Sequence, residues 1–167
     1  TFPRTNPPIQ SRVEVEYLQQ LSDALPITVY PIGAVSQDLA GKDLTEMIDM
    51  VHAGAVAFSD GRKHPIESGL LTRAMEYVIP YNSLIIDFPL DRSLTAEGQM
   101  HEGKVSTSMG LIGIPSVGEE ITVQRDIQLV AYTRSRLHFH AISAAASIPL
   151  IQKAKGDKLS VTWDVPA

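Results

Sequence analysis

The chain has 167 residues, 44% of them hydrophobic, which is enough to form one domain around a buried core. Its formal net charge of −5 at pH 7 argues against nucleic-acid binding. No basic cluster indicates a membrane surface, and no apolar run is long enough to predict a spanning helix. Because the chain has no cysteine, any metal ion would need histidine and carboxylate ligands. The expected compartment is the cytoplasm.

The sequence alternates segments of helical and strand-like pattern. Three prolines within residues 1–10 exclude a helix there and indicate a strand end and a loop. In chain order the pattern then predicts a helix over residues 12–25, a strand over 27–35, a helix over 42–53, a strand over 55–58, a helix over 66–78, a strand over 83–88, a helix over 116–132, a strand over 136–143, a helix over 147–156 and a strand over 159–165. Val13, Tyr17 and Leu21 belong to the apolar stripe of the first helix.

Residues 89–115 interrupt this alternation, since they contain several glycines and show little periodicity. Long segments without regular structure are uncommon in compact domains and usually serve as lids or binding loops, so we expect a loop of that kind here. Ser116 and Glu119 then have the S-x-x-E spacing of a capping box, which predicts the start of the next helix.

Strands that alternate with helices predict a parallel sheet whose carboxyl-terminal strand ends carry the chemistry. Five strands are predicted, and a sixth is expected to end at residues 2–3. A closed barrel of this type has about 250 residues. Two architectures therefore stay open, an open doubly wound sheet and the middle part of a (β/α) barrel. We expect residues 1–167 to form a single domain, and the start at Thr1 rather than Met indicates a piece of a longer chain.

Six phrases of the sequence occur in the order in which one family of barrel enzymes carries similar ones: PRTNPP (3–8), PIGAVSQDLAGKDLTEM (31–47), AGAVAFSDG (53–61), GQMHEGKVSTSMGLIGIPSVGEE (98–120), RLHFHAISAAAS (136–147) and VTWDVPA (161–167). On these phrases the chain resembles the dihydroorotase family of the amidohydrolase superfamily over nearly its whole length. The resemblance implies the central portion of a TIM-type (β/α) barrel, from about the second to the seventh strand, in a protein of pyrimidine biosynthesis.

The resemblance also implies a centre of two zinc ions that supports reversible closure of carbamoyl-aspartate to dihydroorotate. Opening a cyclic amide needs hydroxide near neutral pH, and Zn²⁺ provides it by lowering the pKa of its bound water to about 7. Imidazole and carboxylate ligands must then project from several strand ends into one pocket.

Of the three family ligand positions that the chain covers, one retains a metal-binding side chain. Asp60 matches the fourth-strand aspartate, whereas Phe88 and Ala141 occupy the positions of the fifth-strand and sixth-strand histidines. The first-strand H-x-H pair and the eighth-strand aspartate would lie outside the chain. Asp60 also has a plainer explanation, because an aspartate before a glycine is a common turn former.

The five histidines offer no obvious replacement. His140 directly precedes Ala141, and because side chains alternate along a strand we expect it to point toward the helices unless a bulge shifts it. His138 is expected to pack or to hydrogen-bond behind the site. His52 is expected to complement a helix end, and His64 and His101 are expected to be solvated on loops.

Three other side chains have competing interpretations. Arg4 occupies the position of a family asparagine that binds substrate, and its guanidinium suits a carboxylate or phosphate, although an outward salt bridge explains it equally well. Asp87 and Asp91 have the types and spacing for an acid–base pair, but capping of the turn before the long loop is favoured.

The leading hypothesis is a non-catalytic dihydroorotase homologue, because Phe88 and Ala141 remove two imidazoles and predict that this chain binds no zinc. The resemblance then implies a partner-binding role, with aspartate transcarbamoylase as the partner, and uncovered sheet edges predict a homo-oligomer. The alternative is an active zinc-dependent dihydroorotase whose remaining ligands lie outside the chain. A third hypothesis is a small-molecule-binding barrel that uses Arg4.

Overall fold

A computed structural model of the protein describes residues 1–62, 66–95 and 97–166. In chain order these residues form α1 (Arg12–Asp23), β1 (Ile32–Gly33), α2 (Met47–His52), β2 (Ala57–Phe58), α3 (Ser68–Val78), β3 (Leu84–Asp87), α4 (Arg92–Thr95), β4 (Met100–His101), α5 (Lys104–Met109), β5 (Gly113–Ile114), α6 (Val117–Thr133), β6 (Arg136–Phe139), α7 (Ser147–Gly156) and β7 (Val161–Trp163). Two 3₁₀ turns, Gln37–Leu39 and Ile79–Tyr81, precede α2 and β3.

The main sheet has five parallel strands in the order β1-β2-β3-β6-β7, and β4 pairs with β5 separately. Each strand of the main sheet therefore lies beside the strand that precedes it in that sheet along the chain. A doubly wound sheet reverses its strand order at a switch point, and the described strands show no reversal. The prediction of a partial (β/α) barrel is confirmed, and the doubly wound alternative is wrong.

The two faces of the main sheet have different coverings. Ile85, Leu137 and Phe139 are fully buried in a core that includes apolar side chains of α3, α6 and α7. Because side chains alternate along a strand, Phe88 and His138 lie on the opposite face, which corresponds to the interior of a closed barrel. We call this second face the barrel-interior face.

β1 is much shorter than the predicted strand over residues 27–35. Asp60 explains its end, because its Oδ1 accepts hydrogen bonds from the backbone amides of Val35 and Ser36, each at 2.9 Å. Those amides are thereby removed from strand pairing. The hydroxyl of Thr45 donates to the carbonyl of Ala34 at 2.6 Å, which holds the following loop against the strand end and delays the start of α2.

Residues 89–115 are not the unpatterned loop that the sequence predicts, since they contain α4, β4, α5 and β5. Backbone hydrogen bonds join Gln99 to Ile112 and Glu102 to Ile114. A Cβ at Gly98 would lie 2.1 Å from Cγ1 of Ile114, so a glycine is required for this approach. None of these elements is longer than α5, which has 6 residues, and elements this short leave no periodicity to detect.

The capping-box prediction at the start of α6 is wrong. Ser116 itself has helical φ and ψ angles of −59° and −28°, and its side chain makes no capping hydrogen bond. Its hydroxyl donates instead to Glu120 at 3.0 Å. Glu119, the expected partner, extends to the loop after β6. Among the described helices, α6 is the longest at 17 residues, and none of them is long and apolar enough to cross a membrane.

α1 forms where the sequence predicts a helix, but its apolar stripe is only in part its buried side. Val13 and Tyr17 are 70% and 60% exposed, whereas Val15 is fully buried in the core. Ser11 and Glu14 form the capping box of this helix, with the Ser11 amide donating to Glu14 at 2.8 Å. Leu18, which belongs to the same apolar stripe, is half-buried against the core, so periodicity predicts the helix correctly but only part of its buried side.

Candidate functional site

Two histidines and an aspartate meet at the carboxyl ends of β6 and β7. Oδ2 of Asp164 lies 2.8 Å from Nδ1 of His140 and 3.1 Å from Nε2 of His138. One potential ligand atom from each of the three side chains lies within 4.8 Å of the others. Within the described ranges, no other group of three histidine, aspartate or glutamate side chains is as close. We call these residues the His–His–Asp cluster.

The cluster is held in place by two further hydrogen bonds. Nδ1 of His138 lies 2.8 Å from Oγ1 of Thr162, its neighbour across the strand pair. The Ala141 amide donates to Oδ1 of Asp164 at 2.6 Å, and Ala141 has a φ of 61°, a left-handed conformation that is uncommon for a residue with a side chain. The turn after β6 therefore directs a backbone donor at the Asp164 carboxylate.

The Asp164 carboxylate is stabilised in its charged form. Burial acts to raise its pKa, but hydrogen bonds from His140, from the Ala141 amide and from His138 outweigh burial and lower the pKa to about 2. The side chain is still 43% exposed, so the carboxylate is accessible from solvent. A charged, accessible oxygen between two imidazole rings is able to bind a proton donor or a cation.

The expectation that His140 faces the helices is wrong. Its ring centroid lies 5.2 Å from that of Phe2 and 6.3 Å from that of Phe88, on the barrel-interior face. The reason is that β6 ends at Phe139, whose side chain is in the helix-facing core. Alternation from Phe139 puts His140 on the interior side, and it stops applying at Ala141, where the chain leaves the strand.

Asp60 is positioned by hydrogen bonds to the end of β1 and is only 1% exposed. Its Oδ1 accepts from two backbone amides, and its Oδ2 accepts from the hydroxyl of Ser36 at 2.5 Å. Burial raises its pKa, while the hydrogen bonds from Ser36 and Val35 oppose that rise. Through these contacts Asp60 has a structural role at the end of β1, and its assignment as a metal ligand stays a prediction.

The residues that the resemblance puts at the two other ligand positions, Phe88 and Ala141, have no ligand atom in their side chains. At Phe88, the guanidinium carbon of Arg62 lies 4.5 Å from the ring centroid, which is a cation–π contact. At Ala141 the side chain is a methyl group, and the backbone amide is already bound to Asp164. The described residues therefore do not fit the two-zinc centre that the resemblance implies.

The remaining sequence candidates lie apart from the cluster or outside the described residues. Arg4 is exposed, and its substrate-binding role stays a prediction. His52 lies in the last turn of α2, and the centroid of its ring is 5.3 Å from that of Tyr81. His101 is exposed on β4. His64 lies outside the described residues.

Asp87 and Asp91 do not form an acid–base pair. Asp91 accepts hydrogen bonds from the amide and hydroxyl of Ser93 at 2.8 and 2.6 Å, which confirms the turn-capping interpretation for this residue. Asp87 instead lies under α6, where Arg125 approaches both Asp87 at 3.6 Å and Asp126 at 2.7 Å. Sequence analysis missed this buried acidic pair.

Burial makes the acidic pair hard to ionise. Burial and then the charge of Asp87 raise the pKa of Asp126 well above its ordinary value of 3.8, and Arg125 opposes that rise. Burial likewise raises the pKa of Asp87. Asp126 is fully buried and Asp87 is 4% exposed. The pair is therefore closed to any ligand, unlike the His–His–Asp cluster.

Sequence analysis also missed Asp164, although a signal for it exists. His138 and His140 are two residues apart, a spacing that puts both side chains on one face of a strand. Trp163 pairs with Phe139 in the parallel register of β6 and β7. Asp164, the residue after β7, therefore lies opposite His140, the residue after β6. Knowledge of the register would have revealed the cluster.

Comparison with known proteins gives first the class and then the family. Over 98% of this chain and 38% of the other, the fold matches the L-hydantoinase (dihydropyrimidinase) from Arthrobacter aurescens with a TM-score of 0.73 and 20% sequence identity. At that identity the match supports only the fold, a barrel of alternating strands and helices.

The sequence comparisons are more specific. A family model described as "Dihydro-orotase-like" matches residues 1–147, and the chain belongs to this family. It is 40% identical over 164 residues to the dihydroorotase of Pelotomaculum thermopropionicum and 41% identical over 161 residues to that of Desulfotalea psychrophila. These alignments cover 98% and 96% of this chain but 38% of each relative, so the chain spans less than half the length of the relatives it matches.

Proposed function

We propose that the protein is a non-catalytic member of the dihydroorotase-like family, of which this chain forms the central part of the barrel. One observation carries the proposal: Phe88 and Ala141 occupy the positions at which the family's two histidine ligands are expected. Neither side chain has an atom that binds zinc. Without those ligands the family's two-zinc centre, which supplies the hydroxide that opens the cyclic amide, would lack two of its imidazoles.

The surroundings of Phe88 support the same proposal. The Arg62 guanidinium lies over the ring, with its carbon 4.5 Å from the ring centroid, and thus puts a positive charge beside the lost ligand position. A second cation close to a guanidinium is repelled, more strongly where the surroundings are less polar than water. Both the missing imidazole and the added positive charge oppose a two-zinc centre here.

A protein of this kind would act through its surfaces. We propose a structural or partner-binding role in pyrimidine biosynthesis in the cytoplasm, with aspartate transcarbamoylase as the partner and with self-association as a second mode of contact. β1 and β7 are the outer strands of the described sheet. The amides of Ile32 and Ala34, in and just after β1, already donate to the carbonyls of Thr1 and Ile9 at 2.9 and 2.7 Å, so within the described residues the outer edge of β7 is the place at which a further strand or chain would pair.

The alternative, an active zinc-dependent dihydroorotase, draws support from Asp60, which retains the carboxylate of the family position. In that case the remaining ligands would come from parts of the protein outside this chain. Asp60 would then have to exchange at least part of its hydrogen bonding to Ser36 and Val35 for a metal ion.

Assays of the full-length protein with dihydroorotate and with carbamoyl-aspartate, in the presence of Zn²⁺, decide between the two proposals. We expect no turnover above background in either direction. The double substitution Phe88→His and Ala141→His is expected to increase the bound zinc, and Phe88→Leu with Ala141→Ser serves as the matched control without imidazoles. Turnover by the unmodified protein would favour the active enzyme.

A further inference from the structure

We propose that His138, His140 and Asp164 bind one divalent transition-metal cation, for which Zn²⁺ is the best candidate. None of the three is at a family ligand position, since those positions are Asp60, Phe88 and Ala141 in this chain. The inference goes beyond the proposed function, because a single cation at the His–His–Asp cluster is independent of whether the protein catalyses a reaction.

The spacing of the donor atoms is the first argument. Two ligands that are each about 2.1 Å from a tetrahedral Zn²⁺ lie about 3.4 Å apart. Oδ2 of Asp164 is 2.8 Å from Nδ1 of His140 and 3.1 Å from Nε2 of His138, so these two pairs would have to separate by about 0.6 and 0.3 Å. The cluster is partly exposed, which gives the cation a path from solvent.

The orientation of the side chains is the second argument. Thr162 lies at Nδ1 of His138, which leaves the Nε2 of that ring as the nitrogen that faces Asp164. The Ala141 amide holds Oδ1 of Asp164, which leaves Oδ2 directed at both rings. Histidine ligands of metal ions are generally oriented by such a hydrogen bond at the other ring nitrogen. His138 and Asp164 are thus already oriented before a cation arrives.

The chemistry of the donor set selects the cation. Two imidazoles and one carboxylate suit Zn²⁺ and related transition metals, whereas Ca²⁺ and Mg²⁺ favour sets made entirely of oxygen atoms. Three protein ligands leave a coordination position for water. The competing explanation is a hydrogen-bonded cluster in which Asp164 accepts a hydrogen bond from each ring and no metal binds.

Metal titration of the full-length protein separates these explanations. The protein is first stripped with a chelator and shown to be folded by circular dichroism. Zn²⁺ binding is then measured by equilibrium dialysis, and Co²⁺ binding by its visible absorption. We expect one cation per chain, bound with an absorption spectrum typical of mixed nitrogen and oxygen ligands.

Four variants, one of them a control, test the assignment of the ligands. His140→Gln and Asp164→Asn are each expected to abolish stoichiometric binding, whereas His101→Gln, a substitution of an exposed histidine on β4, is expected to leave it unchanged. Thr162→Val should weaken the affinity by about 10–100-fold while the stoichiometry stays at one, because Thr162 orients a ligand without being one. Thermal unfolding of each stripped variant shows that a loss of binding is not a loss of folding.

Two outcomes overturn the inference. The first is a folded, stripped protein that binds no Zn²⁺, and the second is binding that His140→Gln and Asp164→Asn leave unchanged. The proposed function is tested separately, by measuring turnover of dihydroorotate and carbamoyl-aspartate. A protein that hydrolyses dihydroorotate while it binds one cation through the cluster would refute the proposed function and support this inference.

Discussion

Two polar clusters lie at neighbouring strand ends on opposite faces of the same sheet. Asp87 and Asp126, with Arg125, lie beneath α6 on the helix-facing side and are almost fully buried. The His–His–Asp cluster lies on the barrel-interior face and is partly exposed. Both are built from side chains that are common in active sites. The two clusters therefore differ in burial. The buried Asp87–Asp126 pair can only affect the stability of the fold, whereas the His–His–Asp cluster can exchange its hydrogen-bond partners with solvent.

The comparison also appears in the electrostatics of the two clusters. Burial raises the pKa of Asp126 and makes its ionised form costly. Hydrogen bonds from His140, from the Ala141 amide and from His138 overcome burial at Asp164 and favour the ionised form. The surroundings thus favour the neutral form of the Asp126 side chain and the charged form of the Asp164 side chain. A cation site needs the charged form.

The largest expected effect comes from aromatic residues on the two faces. Phe139→Ala should lower the free energy of unfolding by about 3–5 kcal/mol, because the ring is fully buried against the helices. Phe88→Ala, on the barrel-interior face, should cost about 1 kcal/mol. Urea unfolding measures both values, and equal losses would show that the interior face is as tightly packed as the core.

The next effect concerns the loop that carries Ala141. Glu119 accepts hydrogen bonds from the Ser143 amide at 2.9 Å and from the Ala144 amide at 3.1 Å. Glu119→Ala should lower the free energy of unfolding by about 1–3 kcal/mol, since it leaves the amide of the buried residue Ala144 without its acceptor. Glu120→Ala, one residue along α6, is the control and should cost about 0.5 kcal/mol or less.

If Glu119 fixes this loop, Glu119→Ala should also weaken cation binding at the His–His–Asp cluster, as measured in the same dialysis. Unchanged stability in urea would show that the amides of Ser143 and Ala144 find other acceptors, and the link between α6 and the cluster would then be lost.

The smallest effects compare one substitution, aspartate to asparagine, in the two clusters. The raised pKa of Asp126 means that the folded state holds its proton more tightly than the unfolded state does. The contribution of Asp126 to stability is therefore most favourable below the unfolded pKa of 3.8, and it is lost as pH rises from there through the raised folded value. Asp126→Asn removes that loss, so the variant should gain stability relative to the wild type as pH rises above 3.8.

The effect of Asp164→Asn on stability should have the opposite dependence on pH. The lowered pKa of Asp164 contributes stability above 3.8, and that contribution disappears as pH falls through about 2. Because the side chain is 43% exposed, the cost of Asp164→Asn at pH 7 should be less than about 1 kcal/mol, and it should vanish near pH 2. Unfolding curves at several pH values test both variants, and parallel trends for the two would contradict the contrast between the clusters.

The sequence predicts the long helices well and the short elements poorly. α3 and α6 have enough residues for apolar periodicity to be visible, and both form within about two residues of the predicted bounds. β1 is reduced to Ile32–Gly33 by the hydrogen bonds of Asp60, which come from a residue more than twenty positions away. Pattern alone cannot detect a contact of that kind.

The candidate site was predictable only in part. The family phrases locate Asp60, Phe88 and Ala141 at strand ends, but they do not show that Asp164 meets His140. That contact depends on the register of β6 and β7 and on the left-handed turn at Ala141. Both are set by tertiary packing, and the resemblance directs attention instead to Phe88 and Ala141, whose side chains have no ligand atoms.

The zinc content of the full-length protein after equilibrium dialysis against Zn²⁺ is the most direct test of the central proposal, that the His–His–Asp cluster binds one cation and that the family's two-zinc centre does not form. We predict one zinc ion per chain, which His140→Gln removes and His101→Gln retains. Two zinc ions per chain that persist in His140→Gln would contradict the claim, because they would require an intact two-metal centre built on other ligands.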